Sequence, residues 1–293
     1  MLGPDNQASK NKVLKMADKI WIGGSTAGAN SLNVAANWSP SGVPTGSDNI
    51  YFTHRSTSSA LHDLATLAAV SGELHIEAGY TQFIGSSTGP NYMEMAPSAT
   101  FINAVQPCHI DVKGSTGVIH IENSGTGTLA TAGVNLKGTA IGRINMMDGT
   151  VGLALNPGET STVAEIEMLS RGKLMLGGGV TWTNASINGG TLTAVSGTTS
   201  TVVNLFGGTF SAAEDCKLKD LNTNDGTAFL GGTGNVKNVT MRGGTVNTLF
   251  SGQPRTVTNL KMYQGEFLYD PTVLTVTNHL DADTPIAVRV SLR

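Results

Sequence analysis

Three strand-like triplets place an imidazole and a carboxylate two residues apart: His75-Ile76-Glu77, His109-Ile110-Asp111 and His120-Ile121-Glu122. Because side chains two positions apart lie on the same face of a strand, each histidine could share a metal ion with its acid. The same pattern equally places the isoleucine in a core and leaves the histidine and the acid in solvent. We favour this second interpretation, so the sequence predicts neither a metal nor a cofactor.

A second set of acidic residues could cleave a glycosidic bond. Polysaccharide hydrolysis uses two carboxyl groups that lie roughly 5 to 9.5 Å apart. Asp215, Asp220 and Asp225 lie near one another in the sequence, and Glu165 and Glu167 share a strand face. Nothing selects one pair, and outward-facing acids also keep a weakly charged surface soluble. The sequence therefore predicts no catalytic residue, with a polysaccharide depolymerase as the alternative.

Aromatic side chains near the turns of the chain could bind a sugar. Aromatic residues make up only 5% of the sequence, and packing in a core explains them equally well. The residues concerned are Phe206, Phe210, Phe250, Tyr263, Phe267 and Tyr269.

A glycine-centred repeat sets the elements that must position these side chains. It can be followed from INMMDGTVG around Gly149 to YQGEFLY around Gly265, and after Gly172 the intervals between glycines are 18, 18, 18, 18 and 21 residues. Glycine adopts a positive φ at little cost, so we assign these residues to sharp corners between strands. The predicted corner glycines are Gly149, Gly172, Gly190, Gly208, Gly226, Gly244 and Gly265.

A short alternating segment precedes each corner, as in Asn238-Val239-Thr240-Met241. Such alternation predicts strands with one buried face, and a unit of about 18 residues must stack on its neighbours to bury that face. We therefore predict an all-β, single-stranded parallel β-solenoid with coils of about 18–23 residues and looser coils before residue 165. Its handedness stays open. The predicted inward residues are Ala185, Leu221, Val239 and Leu260, followed by Ile187, Thr223, Met241 and Met262.

Composition and charge exclude several classes of protein. Only 39 of the 293 residues are Asp, Glu, Lys or Arg, whereas 37 are Gly, which disfavours helices. Acidic residues outnumber basic ones 21 to 18 without a basic cluster, so we expect no nucleic-acid partner. No apolar stretch approaches the ~20 residues that cross a bilayer, so we expect no membrane partner. Cys108 and Cys216 are expected to be ordinary buried thiols.

The chain divides into four predicted parts. Residues 1–19 would form a flexible N-terminal arm, residues 20–70 a cap with the first irregular coils, and residues 71–270 the β-solenoid. Residues 271–293 would form a C-terminal cap or a strand that contacts another subunit. A cap is needed because the end of a strand stack exposes an edge that invites aggregation. The residues predicted to build the N-terminal cap are Trp21, Asn37, Trp38, Pro44 and Asp48.

The cap phrase carries a resemblance to a known group of proteins. Trp21, Asn37-Trp38-Ser39, Gly42-Val43-Pro44 and Asp48 resemble the opening of many bacteriophage virion β-helix proteins and of autotransporter-type passenger repeats, over about 35 residues. The resemblance implies a capped β-helix in a phage particle or on a bacterial surface. An autotransporter would carry a signal peptide and a C-terminal membrane barrel, and neither is visible in the sequence. The virion interpretation is therefore favoured.

These inferences converge on a structural function. We expect a non-enzymatic virion protein, either a capsid decoration protein or a fibre-like appendage, that reaches the virion from the host cytoplasm. Its partners would be the major capsid protein or other virion proteins, docked through residues 1–19. By analogy with other phage β-helices we expect a homo-oligomer, with a trimer as its form. The alternatives are a tailspike that binds or depolymerises host surface polysaccharide and a bacterial surface adhesin.

Overall fold

The computed structural model describes residues 17–85, 91–114, 116–125, 133–195, 197–213, 215–249 and 254–281. Within these ranges the chain is nearly all β, with two short 3-10 helices at Ala35–Asn37 and Leu64–Leu67. The strands are β1 Asp18–Trp21, β2 Trp38–Ser39, β3 Asn49–Phe52, β4 Leu74–Ile76, β5 Met93–Met95, β6 Ala99–Asn103, β7 Cys108–Val112, β8 Val118–Asn123, β9 Val134–Met146, β10 Thr150–Leu153, β11 Ser161–Met168, β12 Lys173–Leu176, β13 Val180–Ile187, β14 Thr191–Ala194, β15 Thr199–Leu205, β16 Thr209–Ala212, β17 Lys217–Thr223, β18 Thr227–Leu230, β19 Val236–Asn247, β20 Arg255–Leu268 and β21 Leu274–Asp281.

Two columns of parallel strands run along the molecule. The first column contains β1, β3, β4, β6, β8, β9, β11, β13, β15, β17, β19, β20 and β21, in that order. The second contains β5, β7, the first part of β9, then β10, β12, β14, β16, β18 and the later parts of β19 and β20. Successive turns of the chain extend both columns, which confirms the predicted parallel β-solenoid.

The 18-residue repeat in the sequence equals the register between strands of successive coils. Thr191 pairs with Thr209, Thr209 with Thr227 and Thr227 with Thr245, so the interval between corner glycines is also the interval between paired strand residues. The predicted inward positions are confirmed as core. Each of these side chains is at most 3% exposed: Ala185, Leu221, Val239, Leu260, Ile187, Thr223, Met241 and Met262.

Coils before residue 165 are less regular, as the looser spacing predicted. Leu74 pairs with Thr100 and Val118 pairs with Arg143, so the chain makes a longer circuit here than between Thr191 and Thr209. Loops that leave the stack between the strands account for the greater length of these coils. The strands still alternate between buried and outward residues, so the core continues through this part of the molecule.

Corner glycines enforce the tight turns between the two columns. Gly190, Gly208, Gly226 and Gly244 have φ between +69° and +81°, Gly149 has +87° and Gly265 has +107°. This backbone region is unfavourable for residues with a Cβ atom. Each coil also rests on the one before it. A Cβ on Gly208 would lie 2.6 Å from the carbonyl oxygen of Gly190 and 2.7 Å from the carbonyl carbon of Gly189.

Gly172 is a corner residue for a different reason from the one predicted. It lies between β11 and β12 and makes the corner hydrogen bond from its N–H to the carbonyl of Met147, at 3.0 Å. Its φ is outside the left-handed region. A Cβ there would lie 2.5 Å from Cγ of Met146, so close packing against the previous coil, rather than backbone conformation, favours glycine at this position.

The N-terminal cap covers the open edge of the first strand. β3 lies parallel to one edge of β1, and β2 runs antiparallel along the other, with Trp38 opposite Trp21. The two indole rings are fully buried and meet edge to face at 5.2 Å, with Phe52 beneath them. Each indole N–H is satisfied by a carbonyl, Trp21 by Ser58 and Trp38 by Leu32, both at 2.9 Å.

Asn37 holds the loop of the cap together. Its side chain is fully buried, and Nδ2 donates to the carbonyls of Gly28 at 2.7 Å and Ser31 at 2.9 Å. Its Oδ1 accepts the N–H of Ser25 at 2.8 Å. One carboxamide therefore satisfies three backbone groups in a loop that has few regular hydrogen bonds of its own.

Pro44 and Asp48 shape the return of the chain into β3. The Asp48 carboxylate accepts the N–H of Thr45 at 2.9 Å, which closes a turn immediately before the strand. Pro44 is buried beside this turn. Of the five residues predicted for the cap, Trp21 is the last residue of β1 and the other four lie in the segment between β1 and β3.

Both ends of the predicted division need adjustment. Asp18 and Lys19, assigned to the arm, belong to β1, and residues 1–16 of the arm lie outside the described residues. Residues 274–281, assigned to a C-terminal cap or to a strand that contacts another subunit, form another coil: β21 pairs in parallel with β20, and Leu274 is buried. The alternating run Ile286–Val290 lies outside the described residues.

An asparagine ladder explains why the stack continues into β21. Asn238 donates to Asp220, Asn259 donates to Asn238 at 2.7 Å, and Asn278 donates to Asn259 at 2.8 Å. These residues hold the same outward register on successive coils. The side-chain hydrogen bonds therefore run parallel to the backbone ladder and tie each coil to the next.

Candidate functional site

A stack of four rings crosses the outer face of the N-terminal coils. Tyr51, His75, Phe101 and His120 occupy one outward register on β3, β4, β6 and β8. Neighbouring ring centroids are 4.5, 4.7 and 5.0 Å apart, and the planes are within 12° of parallel. The coil spacing of about 4.8 Å is also a ring-stacking distance, so the register forces the faces together and leaves ring edges towards solvent.

Hydrogen bonds fix the two imidazoles of this stack. His75 Nε2 lies 2.9 Å from a carboxylate oxygen of Glu73, and His120 Nδ1 lies 3.4 Å from Nδ2 of Asn145 on the next coil. The first and third triplets therefore lie as predicted, with Ile76 and Ile121 buried and the histidines on the outer face.

Two depressions beside the ring stack form a groove along the axis. The first, of about 240 Å³, is lined by His75, Phe101 and the polar residues Glu77, Asn103 and Glu122. The second, of about 130 Å³, continues from it, because Phe101 and Glu122 line both. Its remaining lining is His120, Ile121, Asn145, Met147 and Leu169.

The floor of the second depression contains a buried acceptor. Oδ1 of Asn145 is inaccessible to solvent and has no hydrogen-bond partner among the residues that the structure describes. Nearby, Met147 is 47% and Leu169 is 41% exposed. Asn103 Nδ2 donates to Glu122 at 3.3 Å, so the polar side of the groove is partly ordered already.

The second triplet lies in a different setting from the one predicted. His109 and Asp111 are on β7, in the other column of strands. Asp111 is only 6% exposed, because Lys113 and Lys137 place their ammonium groups 3.3 and 3.4 Å from its carboxylate. The prediction of a solvated acid is therefore wrong here, since two lysine side chains cover it.

Tyr92 links this face to the loop after β10. Its hydroxyl donates to Glu159 at 3.3 Å and accepts a hydrogen bond from Asn156 at 3.0 Å. The Lys137 ammonium lies 4.5 Å from the centre of the Tyr92 ring, and His109 packs against the ring edge at 5.8 Å. Burial, followed by the charge of Glu159, raises the pKa of Tyr92, so the phenol stays protonated and acts as a tether.

Acidic pH is expected to destabilise the protein through His109. Burial lowers the pKa of His109 below its usual value of 6.5, against the opposing influence of Glu159. Below pH 6.5 the His109 side chain therefore takes up a proton more readily in the unfolded chain than in the folded one. The free energy of unfolding should keep its full value above this pH and decrease as the pH drops towards the folded pKa of His109. Urea denaturation at a series of pH values measures this slope.

The control for this prediction is an exposed histidine. His109→Gln should flatten the loss of stability at acidic pH, whereas His62→Gln should leave it unchanged, because the His62 side chain is exposed. Equal slopes for His109→Gln and the parent protein would contradict the assignment.

The carboxylates considered for glycoside cleavage are engaged elsewhere. Glu165 and Glu167 both lie against Arg143, and Asp220 accepts a hydrogen bond from Asn238. Glu165 and Asp220 share one register three coils apart, which separates them by about 14 Å. The remaining two carboxylates bind backbone N–H groups: Asp215 binds that of Gly197 and Asp225 that of Gly226.

The aromatic residues near the corners divide into core and surface. Phe210 and Phe267 are fully buried, and Tyr269 packs against the core from its rim. Phe206 is 48% and Tyr263 is 37% exposed, and the Tyr263 ring accepts cation–π contacts from Arg242 and Lys261. Phe250 lies outside the described residues. Among the described residues of this set, Phe206 and Tyr263 are the exposed rings.

The two cysteines are buried free thiols, as predicted. Burial raises the pKa of Cys108 to about 12 and that of Cys216 to about 11, so neither is a reactive thiolate at neutral pH. In the described ranges, no three His, Cys, Asp or Glu side chains are grouped so that they could hold a metal ion. The same ranges contain no helix long and apolar enough to span a membrane.

Sequence reasoning identified the histidines of the ring stack but missed the rest of the groove. Tyr51, Phe101, Asn103 and Asn145 lie on strands of several different coils and share no motif.

Comparisons of the chain with protein-family models, with curated proteins and with solved structures found no match.

Proposed function

We propose that this chain is a non-enzymatic structural protein of a bacteriophage virion, acting as a capsid decoration protein or as a fibre-like appendage. The observation that carries the proposal is the continuous stack, whose core runs from Trp21 to Leu274 and whose first edge is covered by β2. Coils held on both sides by their neighbours open only at a large free-energy cost. Such a rod suits a particle that must survive outside a cell.

The outer surface supports the same role. Thr191, Thr209, Thr227 and Thr245 form one outward column, and the asparagine ladder forms another. Hydroxyl and carboxamide columns of low charge can meet water or a neighbouring protein without a large desolvation cost. The resemblance of the cap phrase to virion β-helix proteins points to the same class.

The partners in this proposal are the major capsid protein or other virion proteins, and the chain would assemble as a homo-oligomer, with a trimer as the expected form. Residues before β1 would provide the docking arm. Because β1 begins at Asp18, an arm deletion that spares the fold must end at Met16 rather than at Lys19.

Cosedimentation with empty capsids of the encoding phage tests this function. The full chain should bind saturably, and a variant that lacks residues 1–16 should lose most of this binding while keeping the circular dichroism spectrum and thermal midpoint of the full chain. The unchanged thermal midpoint is the control that the solenoid is intact.

Two outcomes would overturn the proposal. A full chain that ignores capsids and releases reducing sugar from host polysaccharide would be a depolymerising tailspike. A full chain that ignores capsids and binds host cells without cleavage would be an adhesin.

A further inference from the structure

A sheet face rich in threonine runs along the C-terminal coils. Where β13, β15, β17, β19, β20 and β21 begin, two outward side chains lie two residues apart on each coil, and the strand register aligns them in two columns. We call this surface the threonine face. One of its columns contains Thr183, Thr201, Lys219, Lys237, Thr258 and Thr277. These side chains are exposed or half-buried, so the face is open to a partner.

Three lysines interrupt the threonines at the middle of this face. Lys217 and Lys219 lie two residues apart on β17, and Lys237 lies opposite Lys219 on the next coil, because Leu218 pairs with Val236. All three lysine side chains are exposed. Strand geometry separates Lys217 from Lys219 by about 6.6 Å and Lys219 from Lys237 by about 4.8 Å. The local sequence does not contain this cluster, since only the stacking of coils brings Lys237 beside Lys219.

No carboxylate of the described residues neutralises these lysines. Every ion pair in the described part of the chain lies between other residues, and Asp220, which follows Lys219, accepts a hydrogen bond from Asn238. Like charges opposite each other on neighbouring strands destabilise a sheet, and lysine is less favourable in strands than threonine. A cluster that lowers the stability of the stack is expected of a functional surface.

The arrangement of the lysines matches an extended acidic peptide. Two carboxylates that lie two residues apart in an extended chain point the same way at about 6.6 Å, which is the spacing of Lys217 and Lys219. The second carboxylate can lie between Lys219 and Lys237 and contact both ammonium groups. Thr201 and Thr258 flank this lysine pair along the column, and their hydroxyl groups can donate to the peptide or accept from it.

Other anionic partners match this face less well. Its two columns carry no aromatic side chain on which a nucleic-acid base could stack. Three lysines are fewer than the roughly four to eight basic residues that hold a protein on an anionic membrane. Small ligands favour concave sites, whereas this face is one side of a continuous sheet.

We infer that the lysine cluster of the threonine face docks an extended acidic segment of a partner protein, through carboxylates two residues apart. This contact goes beyond the proposed virion role and does not depend on it. Because β17 and β19 are already paired on both sides, the segment contacts side chains and adds no strand. Exposed ion pairs are individually weak, so one copy should bind such a segment with a dissociation constant on the order of 1 mM.

The experiment is a titration of the full chain with two octapeptides of identical composition, followed by NMR of the backbone amides. The first peptide alternates glutamate with threonine, so its carboxylates lie two residues apart. The second, Thr-Glu-Glu-Thr-Thr-Glu-Glu-Thr, has no two glutamates at that spacing. The alternating peptide should shift the amide resonances of Lys217, Lys219 and Lys237 saturably and bind about threefold or more tightly than its isomer. Added salt should weaken this binding.

Lys219→Thr separates docking from stability. It continues the threonine column and removes the like charge opposite Lys237, so the thermal midpoint should stay the same or rise. Binding of the alternating peptide should weaken by about fivefold, since one ion pair is lost. Lys173→Thr is the matched control, because Lys173 is also exposed and lies between Thr150 and Thr191 in the other column of strands. It should leave the binding unchanged.

The inference fails if the alternating peptide leaves the lysine resonances unshifted, or if Lys219→Thr and Lys173→Thr bind it alike. Equal affinity for the two octapeptides would also overturn it, because the spacing of the carboxylates would then have no effect. Tighter binding of tripolyphosphate at the same resonances would assign the cluster to phosphate groups instead. Tighter binding of an oligothymidylate would assign it to nucleic acid.

Discussion

Gly208→Ala is expected to lower the free energy of unfolding by about 2–5 kcal/mol, because two effects add at this corner. An alanine at φ +69° costs about 1–2 kcal/mol, and its Cβ would lie 2.6 Å from the Gly190 carbonyl oxygen. Relieving that overlap requires a backbone shift in both coils, which costs about 1–3 kcal/mol more. Equilibrium denaturation in guanidinium chloride, followed by circular dichroism, measures the change.

Gly158→Ala separates the two effects. Gly158 has φ +82°, yet no atom lies within 4 Å of the position of an added Cβ. This variant should lose only the conformational contribution, about 1–2 kcal/mol. If the two variants were equally destabilised, the coil-to-coil contact at Gly208 would have no energetic weight, and the glycine repeat would reflect backbone conformation alone.

The regular half of the fold could be predicted because its geometry is periodic in the sequence. A constant step along the chain places each corner glycine on the previous one, and Val239 and Leu260 fall on the same inward column. The physical reason why glycine is required at each corner could not be predicted from the sequence. Gly172 lies in the same sequence phrase as the others, but it is constrained by Met146 on a neighbouring coil, which no local pattern reports.

The ring stack could not be predicted because its members are irregularly spaced. Tyr51 pairs with His75, His75 with Phe101, and Phe101 with His120, and the three intervals along the chain all differ in length. Loops of different length separate these strands, so no sequence period aligns the rings. The His-Ile-Glu triplets correctly predicted that each histidine points outward. The rings that stack on these histidines could be identified only from the strand register of the structure.

The second triplet and the C-terminal end of the stack also depend on contacts between coils that the local sequence pattern does not contain. Alternation alone placed Asp111 in solvent, whereas lysines on its own and the next coil cover it. The segment after residue 270 has no corner glycine, and its sequence predicted either a cap or a strand that contacts another subunit. Its strand nevertheless continues the column, because Leu274 fills the core and Asn278 extends the asparagine ladder.

Trp38→Ala is expected to cost about 3–5 kcal/mol of stability and also to cause self-association. The indole is fully buried against Trp21 and Phe52, and its loss leaves a large cavity in the cap. It also removes the hydrogen bond to the Leu32 carbonyl. Trp38 lies in β2, which covers the edge of β1, so the variant should expose that edge to other chains.

Trp182→Ala is the matched control, because Trp182 is buried on β13 in the middle of the stack, where strands lie on both sides. It should be destabilised to a similar degree without a change in association. Sedimentation velocity over a range of concentrations compares both variants with the parent protein. Larger species that form only in Trp38→Ala would show that β2 protects an edge as well as filling a core. If neither variant changes its association state, or both change it equally, β2 contributes packing alone and the stack needs no protection at that end.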